Sequence, residues 1–267
     1  MKTRSSNRLR DRLMIVILVG VLTTIILGAV VKKSTVNHMY YTVQLDHETS
    51  SQLLNESTKE TKYGTYYGID ISHWNGHVLT DLSKKDSLTF VICKATQGID
   101  FVNTDYKTNR SFIKESGWIG GAYHFYDFGQ DPVRQADHFI AVVGELGQKS
   151  MSPILDIEQA SLPKDQSISV ARLHVDLLIF LDALEAHYGR TPIVYTDLNF
   201  ANVYLANPLF ARYPLWLAEY SKSVEPQVPK TWVGKGYLIW QKTDHYSIDS
   251  HWTDFDVFTG IKEHLYR

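Results

Sequence analysis

From Tyr66 onward the chain alternates short apolar runs with longer polar stretches, the pattern of an α/β domain whose parallel strands are separated by helical connections. Eight runs read as strands, near 66–71, 89–94, 118–125, 153–157, 191–195, 214–218, 237–241 and 254–258. Several, such as Phe90-Val91-Ile92-Cys93, are apolar at consecutive positions, as strands covered on both faces must be. The longest helical pattern runs over 168–188, where Leu173, Leu177, Phe180, Leu181 and Leu184 recur at helical spacing and Gly189 supplies a stop. A second helix is predicted over 131–146: Asp131-Pro132 forms an N-cap and first-turn proline, and Ala136, Phe139, Ile140 and Val143 form its inward stripe. No long amphipathic pattern follows the sixth strand, so fewer than eight helices are expected. The predicted fold is α/β, a flattened or incomplete (β/α)8 TIM-like barrel, with functional groups at the C-terminal ends of its strands.

The N-terminal quarter follows another pattern. Leu13 to Val31 carries no charge and is close to the roughly 20 residues needed to span a bilayer as a helix. Lys2, Arg4, Arg8, Arg10 and Arg12 precede it and only Lys32 and Lys33 follow closely, a bias that keeps the N-terminus cytoplasmic. The expected organisation is a basic tail (1–12), one transmembrane anchor (13–31), a polar stalk (32–65) and an extracytoplasmic barrel domain (66–267). Secretion after cleavage of a signal peptide is the alternative, disfavoured by the length of the apolar run.

Net charge is only −2, and the barrel region has no long basic run, which argues against a nucleic-acid partner. The single cysteine, Cys93, cannot form an internal disulfide; set in an apolar strand without an activating neighbour, it reads as a core residue. His73 and His77 could share a helical face, but Trp74-Asn75-Gly76 between them reads as a turn. No metal or other cofactor is expected.

The chemistry-bearing segment is Pro153-Ile154-Leu155-Asp156-Ile157-Glu158. In an extended chain Asp156 and Glu158 project from one side with α carbons roughly 6.5 to 7 Å apart, a working separation for glycosidic cleavage. The same spacing also describes a strand end whose acids cap a helix or meet surface lysines. Asp70 closes the first predicted strand and Asp254 opens the last, and these strands would be neighbours in a closed barrel. Four acids would then converge, with at least one held protonated by repulsion and burial.

Several ordered segments extend the picture: Tyr67-Gly-Ile-Asp70-Ile-Ser-His73-Trp74, Phe90 to Gly98, Gly121-Ala-Tyr123-His124-Phe125, Pro153 to Glu158, Ile193-Val-Tyr195-Thr196, Pro214 to Tyr220, Ile239-Trp240-Gln241 and Asp254-Phe-Asp256-Val-Phe258. Together they resemble the glycoside hydrolase family 25 muramidases, the Chalaropsis-type lysozymes, over essentially all of 66–267. The resemblance implies a metal-free flattened barrel that cleaves the β-1,4 bond between N-acetylmuramic acid and N-acetylglucosamine in peptidoglycan glycan strands. It implies Glu158 as general acid, Asp156 as the partner of the substrate's 2-acetamido group, and Asp70 and Asp254 as further active-site acids. In this setting Tyr123, Tyr195, Trp216 and Trp240 are expected to contact saccharide, and His124 to position substrate or a carboxylate. Retention through substrate assistance is expected, with inversion left open. Glu219 and Asp256 depart from the family pattern, Asp256 standing where an Asn is expected. Two other classes fit parts of the pattern: a non-catalytic cell-wall glycan-binding module, and a wall-remodelling component of an envelope-spanning assembly.

Overall fold

The computed structural model describes residues 62–266 except 77, 83–87, 165–166, 222 and 249–250. The predicted tail, membrane segment and nearly all of the stalk lie outside the described residues. Among the described residues no helix is long and apolar enough to cross a membrane.

Among the described residues nine strands form one sheet: β1 (Tyr63–Ile71), β2 (Leu88–Gln97), β3 (Phe101–Val102), β4 (Ile119–Phe125), β5 (Ile154–Asp156), β6 (Ile193–Asp197), β7 (Leu215–Ala218), β8 (Ile239–Ile248) and β9 (His251–Ile261). Their order is β1-β9-β8-β7-β6-β5-β4-β2-β3, and β1 also pairs with β2. That pairing closes an eight-stranded barrel, with the two-residue β3 an antiparallel addition to β2. All eight predicted strands are present. The ring is closed, as the expected proximity of the first and last strands requires, but one expectation needs correction: the eighth barrel strand is not parallel, and β9 runs antiparallel to both β8 and β1. Only two residues separate β8 from β9, too few for the crossover that parallel pairing requires.

The alternation of strand residues divides the core in two. Phe90, Ile92, Ile119, Tyr123, Ile154, Ile193, Trp216 and Phe258 belong to the cluster that fills the barrel. Val91, Cys93, Leu155, Val194 and Leu217 turn outward and pack with Phe139, Leu177, Phe180 and Leu181 from the helices. Gly68 marks how tightly the interior is filled: a β carbon there would lie 2.2 Å from the Phe90 ring.

The two predicted helices occur as Pro132–Val143 and Val170–Tyr188. Asp131 accepts the Arg134 N–H at 2.9 Å, Ser169 caps the second helix through the Arg172 N–H, and Gly189 ends it at φ 63°, a left-handed conformation that glycine adopts without steric cost. The helices Tyr106–Glu115 and Leu198–Tyr204 escaped the periodicity argument. The first buries only Tyr106, Asn109 and Ile113, and the second is seven residues long. After it, the described residues contain only short 3-10 turns, so the barrel lacks a full set of helices.

Candidate active site

The four predicted acids meet at the C-terminal ends of the parallel strands. Asp156 is the last residue of β5, and the chain stays extended through Glu158 at φ −147°, ψ −175°. Ile157 turns into the helix-side core, so Asp156 and Glu158 face the barrel mouth together. Asp156 is 7% exposed, whereas Glu158 is half-buried: the first lies on the floor, the second on the wall. The Glu158 backbone is fixed by its N–H donating to Ser161 Oγ at 3.2 Å. Across the barrel, Asp254 is the antiparallel register partner of Asp70, and Thr253 Oγ1 donates to the Asp70 carbonyl at 2.8 Å.

Burial of so many carboxyls in one place raises their proton affinity. Asp70 is held well above the usual carboxylate range by burial first, then by Asp254 and Asp256. Asp156 is raised by burial and by the adjacent Glu158, with Lys94 opposing. Glu158 is raised by burial and by Asp197, again against Lys94. Burial lifts Asp254 to about 6. Acids whose proton affinity is raised in this way are suited to hold and pass on protons. Asp156 Oδ1 is buried and without a hydrogen-bond partner, a site for an N–H donor.

Several participants carried no role in the sequence reading. Gln241 Nε2 donates to Asp70 Oδ2 at 2.7 Å, while its Oε1 accepts from Tyr195 Oη at 2.9 Å and Tyr220 Oη at 2.6 Å. One amide therefore joins three elements around Asp70. Lys94, only 7% exposed, donates to Gln97 Oε1 at 2.7 Å and lies 4.6 Å above the Phe125 ring. Its charge acts on Asp156, Asp127 and Glu158, and burial lowers its own pKa. Both residues lie within ordered segments of the sequence, and their place at strand ends was the available signal.

The aromatic assignments divide. Tyr123 and Tyr195 line the barrel, each meeting Trp216. Trp216 itself is fully buried, its Nε1 donating to Asp256 Oδ1 at 2.8 Å. It builds the floor, and its expected role as a sugar platform is corrected. Trp240 is also buried, with Nε1 donating to the Glu219 carbonyl at 2.7 Å, and the same correction applies. His124 is corrected as well. Tyr123 faces inward, so alternation turns His124 outward, where it meets Thr96 Oγ1 at 2.7 Å and Gln135 Oε1 at 3.2 Å between the Phe139 and Phe180 rings. Burial pushes its pKa down to about 3, leaving a neutral core imidazole. The exposed rings instead follow strand ends: Trp74 is 84% exposed beyond β1, and Tyr220 is 49% exposed beyond β7.

Of the two departures, Glu219 turns its carboxylate to Ser221, outside the acid cluster. Asp256 lies within it. Among the described residues no group of three or more His, Cys, Asp or Glu side chains is arranged to hold a metal ion.

Residues 69–251 match the sequence profile of Glycosyl hydrolases family 25. The chain is 28% identical over 208 residues to the protein YegX of Escherichia coli (strain K12), covering 75% of this chain and 72% of that one. It is 26% identical over 213 residues to the N,O-diacetylmuramidase of Arthroderma benhamiae, covering 78% and 88% of the two chains. Among solved structures, the family GH25 lysozyme from Aspergillus fumigatus superposes with a TM-score of 0.65 at 25% identity, over 76% of this chain and 100% of that one.

Proposed function

Because the chain belongs to the glycosyl hydrolases family 25 and is thereby a glycoside hydrolase, we propose that it is an N-acetylmuramidase that cuts the β-1,4 bond between N-acetylmuramic acid and N-acetylglucosamine in peptidoglycan. The observation that carries this reading is the Asp156-Glu158 pair, turned to one mouth by the extended backbone while Ile157 points away. The muramidase activity named for the relative from Arthroderma benhamiae supports the substrate class.

In the proposed reaction Glu158 gives its proton to the glycosidic oxygen as the bond to the anomeric carbon breaks. The 2-acetamido oxygen of the same sugar attacks that carbon, and Asp156, with its open Oδ1, accepts the acetamido N–H and stabilises the positive ring. Water then opens the ring, with Glu158 as base, and configuration is retained. Asp70 and Asp254 hold the opposite wall of the site.

Digestion of purified peptidoglycan followed by borohydride reduction and mass spectrometry tests the bond assignment. Fragments ending in reduced N-acetylmuramic acid are expected; fragments ending in reduced N-acetylglucosamine would refute it. Running the digestion in oxygen-18 water with anomeric analysis separates retention from inversion.

We also propose that residues 13–31 anchor the chain in the membrane lipid with the N-terminus cytoplasmic, which would place the catalytic domain against the wall. The uncharged run and the basic residues before it support this reading. Protease added to wall-stripped intact cells is expected to digest the barrel domain but spare the N-terminal tail. Recovery in the medium of a chain shortened by its N-terminal apolar segment would instead indicate cleavage and secretion.

A further inference from the structure

Asp256 is a buried acid that the proposed reaction does not use. It is fully enclosed; its Oδ1 accepts the Trp216 indole N–H at 2.8 Å, and its Oδ2 is buried without an N–H or hydroxyl partner. Register places Asp256 opposite Gly68 on β1 and opposite Gln241 on β8. Asp70 is two residues beyond Gly68 on the same face of β1, within diagonal cross-strand reach. The register therefore brings the Asp256 carboxyl, with its unpartnered Oδ2, diagonally beside that of Asp70, whose direct partner across the strands is Asp254, and two carboxyl oxygens can bond each other only if one of them carries a proton.

We propose that Asp70 and Asp256 hold one proton between them in the closed floor of the barrel, and that this shared proton makes Asp256 a positioning residue for Asp70. When the proton leaves, two buried anions face each other and the geometry of the acid cluster fails. The groups facing Asp256 are Asp70 from β1, Trp216 from β7, Gln241 from β8 and Asp254 from its own strand. Burial, followed by the negative charge of Asp254, lifts Asp256 to about 8, while the Trp216 and Asp70 contacts pull it down. Asp70 is raised too, so the two acids titrate as a pair rather than singly. An asparagine at 256, as the family pattern would have it, would donate a fixed amide N–H at every pH. The carboxyl makes that donor titratable.

Linkage gives the sign. The folded pair keeps a proton that unfolded Asp releases at about pH 3.9. This contribution to stability is fully present below that value and declines as pH rises to about 8.

This inference rests on the muramidase reading for its activity arm and on spectroscopy for an arm independent of it. Peptidoglycan hydrolysis by the full chain is measured from about pH 5 to 10 for wild type, Asp256→Asn and Asp256→Leu, with thermal unfolding alongside. Deprotonation of the general acid Glu158 alone lowers the rate by about tenfold per pH unit, and above the pair's titration the wild-type rate is expected to fall more steeply than that. Asp256→Asn is expected to lose this extra steepness and follow the tenfold slope throughout, whereas Asp256→Leu, which offers no donor, loses about tenfold or more in kcat across the range. Coincident alkaline limbs for wild type and Asp256→Asn, or equal rates for the Asn and Leu variants, would overturn the proposal. If neither variant folds, infrared spectroscopy of the wild type decides. A protonated-carboxyl band present at neutral pH and lost above about pH 8 is expected; its absence at neutral pH overturns the shared proton. Failure of the wild type to cut any peptidoglycan defeats the muramidase reading instead, and leaves the infrared result to judge the pair.

Discussion

Glu158→Gln lowers the rate of peptidoglycan hydrolysis by about 10²–10⁴-fold, the range for removal of a general acid, while the thermal unfolding transition is preserved. The amide is nearly isosteric and keeps the half-buried position at the start of the turn 159–161, but it has no acidic proton for the leaving oxygen. Binding survives better than turnover, so the loss falls in kcat more than in KM. Stopped assays on purified cell walls, with circular dichroism on the same samples, check this. Activity within about threefold of wild type would remove Glu158 from the role of acid, since proton donation is worth far more.

Asp156→Asn is the second large effect, a loss of about 10²–10³-fold in kcat, comparable to deleting one preorganised electrostatic partner of a transition state. Asp156 lies deeper than Glu158 and has an unpaired buried oxygen, so its proposed partner is the acetamido N–H rather than the leaving group. A substrate–mutant cycle isolates that pairing. Wild type and Asp156→Asn are each assayed on native and on N-deacetylated glycan. The mutational loss should be large on the acetylated substrate and small on the deacetylated one. Equal losses on both would mean that Asp156 does not act through the acetamido group. The same variant should unfold at a higher temperature near neutral pH, because an acid with an unpaired oxygen is removed from a buried site crowded with other carboxyls.

Much of the fold was legible because it rests on local signals. Apolar runs marked all eight barrel strands, and Asp131 at the start of one long helix and Gly189 at the end of the other marked boundaries by chemistry acting within a few residues. The order of the motifs carried the family, and the Asp-x-Glu spacing carried the pair, since an extended chain sends residues two apart to the same side.

What sequence could not supply was the facing of each strand and the partner of each polar atom. Adjacent Tyr123 and His124 looked equally suited to the site, yet one lines the barrel and the other is locked between Thr96 and Gln135. Trp216 and Trp240 lie at strand ends as expected, but their indole nitrogens are taken by Asp256 and the Glu219 carbonyl. The bond from Gln241 to Asp70 joins residues 171 positions apart, and no local pattern encodes such a contact. By itself, then, the sequence determined the eight barrel strands, the two long helices, the family and the candidate Asp-x-Glu pair. Barrel closure decided the rest: pairing of β1 with β2, and of an antiparallel β9 with β1, fixes which alternate face is buried and brings Asp70, Asp254 and Asp256 into one low-dielectric floor.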